Sequence, residues 1–100
     1  MQTLLDFQNR AIRLSDERQQ HILEHPEMEG LEAEIRRTLS KPEIVRRSKS
    51  DVTVILYYRY YTDTLVGEKW LCVVVKLLLD DAFVLTAYLT DKPKQGESLL

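Results

Sequence analysis

Cysteine is almost missing from this sequence: Cys72 stands alone, so no internal disulfide can form. Glycine and proline number three each, and no glycine-rich loop of the kind that cradles phosphates is present. No apolar run approaches the roughly 20 residues that a membrane helix needs. The longest lies near Leu71 to Leu79 and is interrupted by Lys76. No basic stretch followed by a long apolar one opens the chain, so no signal peptide is expected, and the expected compartment is the cytoplasm. An excess of positive charge is missing too. Fourteen Lys and Arg stand against 16 Asp and Glu for a net charge of -2, a total that does not by itself argue for a nucleic-acid partner.

What is present is the balance of one soluble domain: 100 residues, 44% hydrophobic and 30% charged. The charges are unevenly spread. Asp16, Glu17, Glu24, Glu27, Glu29, Glu32 and Glu34 face only Arg18, whereas Arg36, Arg37, Lys41, Arg46, Arg47 and Lys49 face only Glu43. Either these are two solvated faces that neutralise each other, or the second is a phosphate-facing strip beside an acidic outer surface.

Residues 1–14 read as an arm or short strand: Met1–Asn9 is weakly patterned, a short helix or an arm, and Ala11–Leu14 alternates as a short strand does. Ser15 suits an N-cap, and Asp16 and Glu17 suit the positive end of a helix. A helix is therefore predicted over about Asp16–Glu24, ended by Pro26. Leu31, Ile35 and Leu39 share one face of a second helix over about Gly30–Leu39. After Pro42 the β-branched and aromatic residues dominate, as strands prefer. A short strand at Glu43–Ser48 and strong strands at Val52–Tyr61, Lys69–Leu79 and Phe83–Thr90 are expected, with a loop over Thr62–Glu68. The whole is an α+β domain spanning 15–92, with N-terminal helices packed on one face of a three- to four-stranded antiparallel sheet and a tail at 93–100.

A three-residue loop Asp80-Asp81-Ala82 sorts the last hairpin into two faces. Lys76 then lies opposite Thr86. Val73, Val75, Leu77, Phe83, Leu85, Ala87 and Leu89 line an apolar face; Cys72, Val74, Lys76, Thr86, Tyr88 and Thr90 line the other. The second face is either simply wet or functional. The strand Val52–Tyr61 adds to it either Tyr57, Arg59 and Tyr61 or their neighbours.

Among groups able to do chemistry, His21 and His25 would share a helix face. With one cysteine in the chain, a metal would need a carboxylate as third ligand. Histidine as a general acid or base is the better reading, beside the bland one of a hydrogen-bonded and a surface histidine. No serine lies in a nucleophile-elbow sequence, and Cys72, inside an apolar strand, reads as structural. Tyr57, Tyr58, Tyr60 and Tyr61 around Arg59 are either strand-forming cover or a surface that stacks bases.

The segments His21-Ile22-Leu23-Glu24-His25-Pro26-Glu27, Leu56-Tyr57-Tyr58-Arg59, Trp70 to Lys76 and Phe83 to Thr90, taken in order, resemble the phage-associated nuclease-like domains of the barnase, EndoU, colicin and RelE group. The likeness covers about Ala11 to Lys92. It implies metal-independent RNA cleavage of toxin type, without cofactor, by attack of the ribose 2′-hydroxyl on the adjacent phosphate. His21 would act as general base or acid. Lys76 and an arginine, Arg59 or Arg47, would stabilise the growing charge. Thr86 and Tyr88 would position the phosphate or protonate the leaving oxygen. Arg46, Arg47, Lys49, Thr90 and Lys92 would hold the RNA backbone. The implied partners are RNA, single-stranded or ribosome-bound, and an antitoxin protein; no membrane is involved. Two other readings stand beside this one: an inactive module that grips RNA or a protein through the same face, and an interaction domain that dimerises through its Tyr-rich strand.

Overall fold

The computed structural model describes residues 1–100. Its elements are β1 (Gln2–Leu5), β2 (Ala11–Leu14), α1 (Asp16–Leu23), a 3-10 turn at Pro26–Met28, α2 (Glu32–Ser40), β3 (Ile44–Arg47), β4 (Val54–Thr64), β5 (Gly67–Leu78), β6 (Asp81–Thr90) and β7 (Glu97–Ser98). All seven strands join one sheet in the order β1-β2-β6-β5-β4-β3-β7. Its pairs are antiparallel except β2 with β6, which run parallel with Arg13 opposite Phe83. No helix is long and apolar enough to cross a membrane.

This corrects the expected architecture of N-terminal helices on a three- to four-stranded antiparallel sheet. Strand makes up 47% of the chain and helix only 20% in a seven-stranded mixed sheet. The difference arises at the two ends. Residues 1–14 form a hairpin whose turn is organised by one side chain: Asp6 Oδ1 accepts from the backbone N–H groups of Gln8 and Arg10, and Asn9 takes φ 63°. Side-chain-to-backbone bonding of this kind makes a turn without glycine or proline. At the other end, residues expected as tail add β7 alongside β3.

The helices start and stop as their sequence dictates. Ser15 Oγ accepts from the Arg18 N–H at 3.1 Å and caps α1. Ile35, Thr38 and Leu39 are the buried residues of α2. Thr38 Oγ1 donates to the Glu34 carbonyl at 2.7 Å and lies 3.1 Å from the Tyr61 hydroxyl, which seats α2 on the sheet. The core on this helix side includes Ile12, Leu14, Ile22, Met28, Tyr57, Leu71, Val73, Val75, Val84 and Ala87.

Two turns differ from expectation. Thr62–Glu68 is not a loop: β4 and β5 run on to a two-residue turn at Leu65-Val66, with Thr64 opposite Gly67. Gly67 closes it at φ 92°, a conformation that favours glycine. The last hairpin turns at Leu79-Asp80, with Leu78 opposite Asp81, and not at Asp80-Asp81-Ala82. That loop needed a left-handed Ala82, and no residue there has a positive φ. The register is instead recovered by a bulge: Val75 faces Val84, Val74 faces Thr86, and Leu85 is the extra residue. Lys76 therefore lies opposite Phe83, not Thr86. Val84 replaces Phe83 and Leu85 on the helix side, while Thr86, Tyr88 and Thr90 keep the expected face.

A strapped groove on the open sheet face

The face away from the helices is built from pairs across β4, β5 and β6. Leu56, Val74 and Thr86 make one row, Tyr58, Cys72 and Tyr88 the next, and Tyr60, Trp70 and Thr90 the third. It is not simply wet. Tyr58 and Cys72 have no exposed surface, and Leu56 retains 5%.

The cover is the chain itself. After β6 the backbone must travel from the third to the seventh position of the sheet to form β7, and residues 91–96 do so across the open face. This strap is held at three points. The Lys94 N–H donates to the Tyr58 hydroxyl at 3.0 Å, Arg46 donates to the Lys94 carbonyl at 2.7 Å, and Lys69 pairs with Asp91. Lys94 Nζ also stands 6.0 Å from the Tyr88 ring centre. Glycine is required where the strap meets β3, because a Cβ on Gly96 would overlap the Arg47 carbonyl.

Between the strap and the loop after β3 lies a groove of about 380 Å³. Val54, Leu56 and Val74 give it an apolar floor, and Thr86 and Tyr88 stand on its β6 side. Ser48, Lys49 and Ser50 from the loop after β3 and Lys94 and Gln95 from the strap complete its lining. Both lysines are exposed, and neither belongs to any ion pair in the structure. Burial raises the Tyr88 pKa, pushes Tyr58 up to about 12 and pushes Cys72 up to about 11. All three therefore stay protonated at neutral pH, and no histidine or carboxylate lines the groove. It offers hydroxyl and ammonium groups for an anion and no group that titrates near neutrality.

The residues singled out in the sequence divide between the two sides of the sheet. Lys49, Thr86 and Tyr88 meet in the groove. Arg46 supports the strap, to which Lys92 belongs, and Thr90 stands in the third row beside Trp70. Lys76 lies on the same face, one row beyond Val74, but its ammonium is paired with Asp51 at 3.0 Å and anchors the loop that helps line the groove. His21 is on α1, on the far side of the sheet, with its side chain 70% exposed and 3.9 Å from Glu24. Arg59 also faces the helix side, where it donates to the Lys41 carbonyl. Arg47, facing the same way, pairs with Glu97 and donates to the Val52 carbonyl. Tyr58 and Tyr60, the neighbours of Tyr57, Arg59 and Tyr61, are the aromatics of this strand that reach the open face. Lys94 and the apolar floor are the parts of the groove that sequence pattern alone does not single out. For Lys94 the signal is the Lys92-Pro93-Lys94 run beyond the last strong strand.

Comparison of the chain with protein-family models, with curated proteins and with solved structures finds no match.

Proposed function

We propose that this protein is a cytoplasmic binding module that holds single-stranded RNA in the strapped groove without cutting it. One observation carries the reading: Lys49 and Lys94, neither in an ion pair, line one groove together with an apolar floor and with Ser48, Ser50, Thr86 and Tyr88. Ammonium groups attract phosphate, and an apolar floor accepts the face of a base. The charge pattern agrees. The acidic run from Asp16 to Glu34 sits on the helix side, so the strapped face is spared its repulsion. The resemblance to RNA-cleaving domains points to the same class of ligand. Holding is favoured over cutting because cleavage by 2′-hydroxyl attack needs a group that gains and loses a proton near neutral pH. The histidine assigned to that task lies across the sheet from Thr86, Tyr88 and Lys76.

The test is fluorescence anisotropy of a short labelled single-stranded RNA, with the same RNA incubated in EDTA and resolved by length. Binding without shortening is expected, unchanged in His21→Ala. The Lys49→Ala, Lys94→Ala double variant should lower the slope of log K against log salt by about 1.4, at about 0.7 for each phosphate charge left without its lysine. Shortened RNA with 2′,3′-cyclic ends, absent with His21→Ala, would restore the ribonuclease reading. No binding at low salt would remove both.

A further inference from the structure

The open face continues beyond the strap. There Tyr60 of β4 and Trp70 of β5 lie directly opposite each other, with ring centres 5.2 Å apart and planes at 63°. Thr90 flanks Trp70 from β6. The other tyrosines of β4 have their hydroxyls committed: Tyr57 to Asp6, Tyr58 to the strap, Tyr61 to α2. Tyr60 is different. Its hydroxyl and the Trp70 indole N–H have no hydrogen-bond partner in the protein, and Tyr60 is 39% exposed. Buried tryptophan and tyrosine usually find a partner for the polar end; here Tyr60 is exposed and Trp70 half-buried, and the pair without such partners offers ring surface and donors to something outside.

We propose, resting on the reading of the strapped face as an RNA site, that Tyr60 and Trp70 form a second subsite, one that takes a nucleobase. The ligand is then a strand running across the strap and not a mononucleotide. Base faces stack on aromatic side chains with little regard to sequence. From the Leu56–Val74 row to the Tyr60–Trp70 row is four residues along each strand, about 13 Å at about 3.3 Å per residue. The strap lies between the two subsites and carries Lys92 and Lys94, neither in an ion pair. Its one acid, Asp91, is already neutralised by Lys69. A phosphate backbone crossing there meets net positive charge, with an apolar floor on one side and an aromatic pair on the other.

Trp70 is the only tryptophan, so its emission reports on this subsite alone. The experiment follows Trp70 emission and the anisotropy of a labelled single-stranded RNA in one titration, with Trp70→Leu, Trp70→Phe and Tyr60→Ala as variants and adenosine monophosphate as the short ligand. Trp70 emission should fall in step with anisotropy. Trp70→Leu should weaken binding about tenfold, and Trp70→Phe should keep most of it. The mononucleotide should leave the emission unchanged at concentrations where the strand saturates. If RNA binds and Lys94→Ala weakens it, while Trp70 emission stays constant and Trp70→Leu binds as tightly as wild type, the aromatic subsite is overturned and the RNA reading stands. Full quenching by the mononucleotide would overturn the polymer requirement. No anisotropy change with any RNA would remove the RNA reading and the subsite with it.

Discussion

The hydroxyl of Tyr57 donates to Asp6 Oδ2 at 2.7 Å across 51 residues of sequence, and it ties the middle of the sheet to the turn of the edge hairpin. Asp6 is buried, and its carboxylate also accepts from the backbone N–H groups of Gln8 and Arg10 and from the Arg10 guanidinium. Burial raises the Tyr57 pKa, and the neighbouring carboxylate raises it further. One side chain therefore shapes a turn and docks it.

Tyr57→Phe should lower stability by about 1–3 kcal/mol, the usual cost of leaving a buried acceptor short of a donor. Asp6→Ala should cost more, since it strands two backbone donors of the turn as well as the tyrosine hydroxyl. Urea unfolding of the two variants checks the order; equal losses would place the turn outside the cooperative fold.

Asp51 provides a pH dependence with a definite sign. Its carboxylate accepts from the Thr53 hydroxyl at 2.6 Å and from the Thr53 N–H at 2.9 Å, and it pairs with Lys76 at 3.0 Å. These contacts hold its pKa at about 2, below the ordinary 3.8. The folded state binds this proton less readily than the unfolded one. The stabilisation is therefore complete above pH 3.8 and is lost as pH falls toward about 2. Thermal melts in that window should show a steep decline for wild type and a shallower one for Asp51→Asn.

Strap docking can be read at Cys72. The thiol is fully buried beneath residues 91–96 and its pKa is pushed up to about 11 by burial, so a thiol reagent at neutral pH should label it only when the strap lifts. Gly96→Ala places a methyl group against the Arg47 carbonyl and should raise the labelling rate about tenfold, which corresponds to about 1.4 kcal/mol off the local opening free energy. An unchanged rate, with circular dichroism like wild type, would mean that Cys72 is reached by another route.

Periodicity and capping made the helices and the central strands legible: Ser15 and the acids after it set the start of α1, and the β-branched runs set β4, β5 and β6. The segments that escaped are those whose structure depends on distant partners. Gln2–Leu5 carries too weak a pattern to declare a strand, and only the Asp6 turn and its bond to Tyr57 bring it into the sheet. Glu97-Ser98 pairs with β3 because the strap carries it there. Face assignment for Thr86, Tyr88 and Thr90 followed from alternation. For Phe83 and Leu85 alternation fails, because a bulge is a compromise between turn and register that no alternating pattern announces. For the site, residue type named Lys49, Thr86 and Tyr88, but topology decided which candidates share a side. His21 and Arg59 carry suitable chemistry on the wrong side of the sheet for that groove.

The two flanking strands are short, four residues in β1 and two in β7. The three long strands, β4, β5 and β6, have neighbours on both sides. An unpaired edge is a template on which another chain can add a strand, and the hazard grows with its length. The closure is partial: β3 pairs with β4 only over Ile55–Tyr58 and β2 meets β6 at Arg13 and Phe83, so the outer edges of β4 beyond Tyr58 and of β6 beyond Phe83 are where an added strand would pair.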